Sequence, residues 1–99
     1  MSNVGADNIS DDHFTCAAMI SAADRLAGSG KLSAASFPMG KALVAGMGHL
    51  NAWAIPAGMK ESDAFDAVAK ERERLLRELT PEEIGARATA CMESMKRST

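Results

Sequence analysis

The run from Phe37 to Ile55, FPMGKALVAGMGHLNAWAI, constrains this chain more than any other stretch. Wound as a helix it is apolar almost all the way round, with polar side chains only at Lys41, His49 and Asn51, and a helix of that kind must be covered on most sides. Pro38, Gly40, Gly46 and Gly48 interrupt it, and it falls short of the roughly 20 apolar residues that a membrane span requires. It therefore reads as the central helix of a water-soluble domain, with the other segments as its covers.

Three further helices supply those covers. Residues 1–9 are small and polar and read as a loose tail. Ser10, Asp11 and Asp12 then place a capping side chain and negative charge where a helix begins. The first helix carries its apolar seam on Cys16, Met19, Ile20, Ala23, Leu26 and Ala27, the spacing of one helical face. Gly28, Ser29 and Gly30 stop it, because glycine takes the left-handed conformation past a helix end at little cost.

The second helix is expected from Ser36 to about Ile55, with Pro38 tolerated in its first turn. Leu32 and Phe37 flank a capping Ser33, and Pro56, Ala57 and Gly58 end the helix. Its glycines each cost roughly 1 kcal/mol relative to alanine, which makes sense where another helix comes close.

Ser62 or Asp63 opens the third helix, whose seam is Phe65, Val68, Arg72, Leu75 or Leu76, and Leu79. Its KERER run, Lys70 to Arg74, reads as a solvated face stitched by intrahelical ion pairs. The fourth helix has the sharpest local signal, LTPEEI: Thr80 as N-cap, Pro81 as first helical residue, Glu83 closing the capping box, and Leu79 with Ile84 as staple. Its seam is Ile84, Ala88, Cys91 and Met95. The short link between the last two helices predicts that they fold back as an antiparallel hairpin. The expected fold class is thus all-α, an antiparallel four-helix bundle-like single domain over residues 10–99, with 1–9 as a disordered tail.

Alternating helix directions make the first and fourth helices antiparallel. Cys16, early in one, and Cys91, late in the other, then fall at the same end of the bundle and on apolar seams. A disulfide between them would close nearly the whole domain into one loop and contribute about 4 kcal/mol, comparable with the whole stability of so small a fold. It would also imply an oxidising compartment, with a leader ahead of the sequence. The other reading is two buried, unpaired cysteines acting as small hydrophobes in a reducing cytosol.

Chemistry finds little foothold. The eleven Lys and Arg are spread among thirteen Asp and Glu, with no Tyr and one Trp, so neither a basic patch nor stacking aromatics point to nucleic acid. His13, Cys16, Cys91 and His49 could be arranged around zinc, or a Cys–His pair could act as a nucleophile. The first lacks a recognisable four-ligand spacing, and the second lacks an orienting group and an oxyanion element. No metal, cofactor or catalytic residue is expected, and the protein is read as a non-enzyme. His49, among apolar residues, is a core or rim residue that becomes pH-sensitive only if its protonation breaks packing. Arg72 is expected to lay its stem on the core with its head in water. The apolar surface left over on the second helix should lie at Phe37, Met39, Trp53 and Ile55, a candidate interaction surface for a protein partner or a second copy of the chain.

A short helix with one Cys, a central helix rich in Met and small residues, the L-T-P-E-E opening of the last helix and a Cys within that helix together resemble the small secreted helical proteins of Gram-negative bacteria. These include the HdeA-type acid-stress chaperones and the periplasmic immunity proteins. The likeness covers roughly residues 11–97. It implies a disulfide-stapled helical domain of the periplasm; the expected role is that of an interaction or stress-related protein, with dimerisation through the apolar face of the second helix as a further expectation. Two alternatives stand beside it: an HdeA-like chaperone activated by acid, and a cytosolic thiol or metal-binding helical protein.

Overall fold

The computed structural model describes residues 6–32 and 39–98, and side chains from 13 to 32 and from 41 to 94. Four helices follow one another: α1 (Ala6–Gly28), α2 (Met39–Ala54), α3 (Glu61–Glu78) and α4 (Pro81–Ser98). The protein is all-α and bundle-like, as expected. Residues 6–9, assigned to the tail, belong to α1, so Ser10 lies inside the helix rather than capping it. Ser33, Ser36, Phe37 and Pro38 lie outside the described residues.

The hub of the bundle is α1, not α2. Ala17, Ala18, Met19, Ile20, Ala22, Ala23 and Leu26 are all buried, which puts buried side chains on nearly every side of this helix. The other three helices each pack principally against it. Size explains the reversal. Four alanines let three neighbouring helices approach one axis, whereas α2, more apolar on average, leaves Leu43, Val44 and Ile55 between 70% and 77% exposed. Gly46 marks the close approach of α1 and α2: a methyl group there would lie 3.4 Å from Ile20 Cγ2.

The same geometry corrects the expected hairpin of the last two helices. Only Leu79 and Thr80 link α3 to α4, yet the two helices meet little. Ala64, Val68 and Leu75 of α3 and Ile84, Ala88 and Cys91 of α4 are buried, and both helices turn that apolar surface mainly to α1.

Helix ends follow their local chemistry. At the end of α1, Lys31 N–H donates to Leu26 O at 2.8 Å and Gly30 N–H to Ala27 O at 3.2 Å, with Gly30 at φ +81°. This double closure is the Schellman arrangement, which needs a left-handed residue and so a glycine. The end of α2 repeats it, with Met59 bonded to Ala54 O, Gly58 to Ile55 O, and Gly58 at φ +69°. The start of α4 forms the expected capping box: Glu83 N–H donates to Thr80 Oγ1 at 3.1 Å, and Thr80 N–H to Glu83 Oε1 at 2.9 Å. By contrast α3 begins after Lys60 with no side-chain cap.

The charged face of α3 is solvated, with a register different from the simplest one. Arg74 grips Glu71 with two nitrogens and also reaches Glu78 at 2.7 Å. The hydrogen bond from Arg74 holds the Glu71 carboxyl below the usual carboxylate range. Among the described residues no helix is long and apolar enough to cross a membrane.

Candidate functional site

Two regions of the bundle carry unusual chemistry. Near the middle of α1, Cys16 is joined to Cys91 of α4 in a disulfide, with Cα atoms 5.4 Å apart and a sequence separation of 75. The antiparallel course of α1 and α4 brings the two sulfurs together. Because each sulfur is bonded to the other, neither is a thiolate available for attack or for metal ligation in this form.

Beside the bridge lies a pair of histidines. His49 of α2 is 1% exposed. Its Nε2 is 2.8 Å from the Cys91 carbonyl oxygen, and its Nδ1 is 2.8 Å from Nδ1 of His13 on α1. A carbonyl only accepts, so Nε2 of His49 carries the hydrogen. In a neutral ring Nδ1 is then a lone pair, and His13 must donate to it from Nδ1–H. Each buried ring nitrogen of His49 thus has one partner and one defined role. Burial, the largest cause, pushes the His49 pKa below its ordinary 6.5, and the neighbouring His13 adds to this, against an opposing contribution from the hydrogen bond to Cys91.

One turn after His49, Trp53 packs on Phe14 of α1 with ring centroids 4.6 Å apart. Trp53, expected on an exposed interaction surface, is instead half-buried in the stapled region. Ile55 is exposed as expected, at 70%. Met39 starts α2, but its side chain is outside the described ones, and Phe37 lies outside the described residues altogether.

The second region is a cleft between α2 and α3, floored by α1, with a volume of about 200 Å³. Ala17 and Ile20 form the floor, Leu43, Met47 and Leu50 one wall, and Phe65 and Val68 the other. It exists because α2 and α3, each packed on α1, hardly touch one another. At its polar edge Arg72 donates to Ser21 Oγ at 3.3 Å and to Glu73 at 3.0 Å, and Glu73 also pairs with Arg25 of α1 at 3.3 Å. Arg72 thus lays its stem along the cleft and fixes its head at the rim, as its place on the seam suggested.

Leu43 and the half-exposed Phe65 continue this apolar lining onto the surface, and Val44, next to Leu43 in sequence, is exposed as well. Sequence reasoning missed Leu43 and Val44, since it put the spare apolar surface towards the two ends of the second helix, at Phe37, Met39, Trp53 and Ile55. It also considered His13 with His49 only as ligands of a zinc site and not as partners of each other. Antiparallel pairing of α1 with α2 was the available signal, for it brings position 13 beside position 49.

Among the described residues no three His, Cys, Asp or Glu side chains converge in a way that could hold a metal ion. Compared with known protein families, with curated proteins and with solved structures, the chain matches none of them.

Proposed function

We propose that this protein is a non-catalytic binding protein of an oxidising compartment such as the periplasm, and that its α2–α3 cleft takes one large apolar side chain of a protein partner. The cleft carries this reading. Its volume of about 200 Å³ is below the roughly 300 to 1,000 Å³ of pockets that enclose whole small-molecule ligands. It exceeds the roughly 150 Å³ that accommodates a benzene ring. A space of that size, with exposed Leu43 and half-exposed Phe65 in its walls, fits an anchoring residue whose surroundings exclude water, the arrangement that concentrates binding energy in protein interfaces. The Cys16–Cys91 bridge supports the compartment, because structural disulfides persist where thiols are oxidised.

N-acetyltryptophanamide serves as a probe for the anchoring side chain. Titrated into labelled protein, it should shift the methyl resonances of Ile20, Leu50 and Val68 together. Ala69→Phe, which fills the cleft from α3, should remove the response while the helical circular dichroism survives. Shifts scattered over the surface, or a response that persists in Ala69→Phe, would count against the cleft. The compartment is tested by denaturing, non-reducing alkylation of protein in the cells that make it: no label on Cys16 or Cys91 is expected, and two labels would place the protein among cytosolic thiol proteins.

A second copy of the chain is the other occupant, favoured by the exposed Leu43 and Val44 of α2. Sedimentation distinguishes it: a dimer that Val44→Glu converts to monomer assigns the face to self-association, and a native monomer at high concentration leaves it to a different partner.

A further inference from the structure

We propose that His13 and His49 form a one-proton latch, which closes α2 against α1 and α4 while the pair carries no more than one proton and opens when a second arrives. This inference is independent of the cleft. It follows from which atoms can donate. The Cys91 carbonyl requires a hydrogen on His49 Nε2, and the 2.8 Å contact between the two Nδ1 atoms requires one hydrogen between them, supplied by His13.

A first added proton has a place that breaks nothing. It binds His13 at Nε2, away from the contact, leaves the Nδ1–H donor intact and makes its bond to His49 charge-assisted. The second proton has only His49 Nδ1 left. Its arrival sets two N–H groups facing each other at 2.8 Å and two cationic rings 5.0 Å apart, with one of them 1% exposed. No hydrogen bond survives between them, and the buried ring must move towards water.

No carboxylate of the described residues acts on His49 to relieve this. Among the described residues, α1 presents His13 to the ring of His49, α4 presents the uncharged Cys91 carbonyl, and the charge that acts on His49 is that of His13 alone. Lys41 and Asn51 of α2 itself are exposed. The element that yields is α2, because α1 and α4 are tied to each other by the adjacent disulfide. Trp53, the single tryptophan, stacks on Phe14 one residue after His13 and therefore reports the opening directly.

The experiment is a titration of the intact, oxidised protein from about pH 8 to about pH 4, followed by Trp53 emission and by the histidine ring nitrogens in NMR. At the alkaline end His49 should be the Nε2–H tautomer and His13 the Nδ1–H tautomer. On acidification Trp53 emission should shift to the red, reversibly, below pH 6.5, with the ratio of open to closed molecules rising about tenfold per pH unit. His49→Gln, which keeps a donor for the Cys91 carbonyl but cannot be protonated, should abolish the transition. His13→Asn, whose amide can donate to neutral His49 Nδ1 or turn its oxygen to accept from the protonated one and which adds no second charge, should weaken the transition and move it to lower pH. An Nδ1–H tautomer of His49 at alkaline pH, a flat Trp53 response, or an unchanged transition in His49→Gln each overturns the latch. If His49→Gln does not fold, the wild-type tautomers and the wild-type titration decide alone.

Discussion

Around Cys16, near the middle of α1, the bundle holds directional contacts: a covalent bridge, two histidines whose hydrogens have one possible placement, and a tryptophan stacked on a phenylalanine. Directly after Cys16 on the same helix, Ala17 and Ile20 floor a cleft whose walls hardly touch. The difference shows how a small domain can divide its tasks. A chain of 99 residues buries too little surface to be rigid everywhere. Concentrating covalent and directional bonds around Cys16 and His49 leaves the α2–α3 side free to keep apolar surface unfilled.

The contrast can be broken most severely at the bridge. Replacing both Cys16 and Cys91 by alanine should lower unfolding stability by about 4 kcal/mol, read from urea denaturation of the variant against the oxidised protein. A loss below about 1 kcal/mol would mean that the stapled region owes its order to packing alone. Next in size is pH. The folded-state pKa of His49 lies below the 6.5 of the unfolded chain. Its contribution is therefore fully present above that pH, and as pH falls the unfolded chain takes up the proton first. Stability should fall below about pH 6.5 by up to about 1.4 kcal/mol per unit until the folded pKa is reached, and this slope should be absent in His49→Gln.

A smaller effect lies away from both regions, and calibrates them. Thr80→Ala removes one arm of the capping box and should cost about 1 kcal/mol in thermal or urea unfolding, with the pH profile unchanged. Smallest of all, Leu43→Glu on the cleft wall should alter stability by less than about 0.5 kcal/mol, because Leu43 is 76% exposed, while weakening capture of N-acetyltryptophanamide. A large stability loss there would show that the cleft belongs to the core, and the comparison between the two regions would collapse.

What could be read from the sequence was what is local or periodic. The capping box at Thr80 and Glu83, the glycine stops at Gly30 and Gly58, and the seam through Ile84, Ala88 and Cys91 all depend on residues a few positions apart. Pairing Cys16 with Cys91 needed only alternating helix directions. The hub was misjudged because hydropathy ranks Leu, Val and Met above Ala, whereas a helix with three neighbours is chosen for small side chains. Ala17, Ala18, Ala22 and Ala23 are weak hydrophobic signals and strong packing signals. The histidine latch depends on a contact across 36 residues, and neither histidine is distinctive by itself. Trp53 was placed outside for the same reason: nothing near it in sequence announces Phe14.

The bridge has one more consequence, which concerns connectivity. With a sequence separation of 75 between the joined cysteines, the stretch from Cys16 to Cys91 is covalently a ring rather than a thread. A protease that cuts the exposed turn after α2, around Pro56 and Ala57, opens the ring without dividing the molecule. The cut protein still migrates as one species until a reductant is added, and α3 and α4 stay tethered to α1 throughout. In an environment rich in proteases, a single cleavage therefore does not release a fragment, and the molecule has in effect been given new ends.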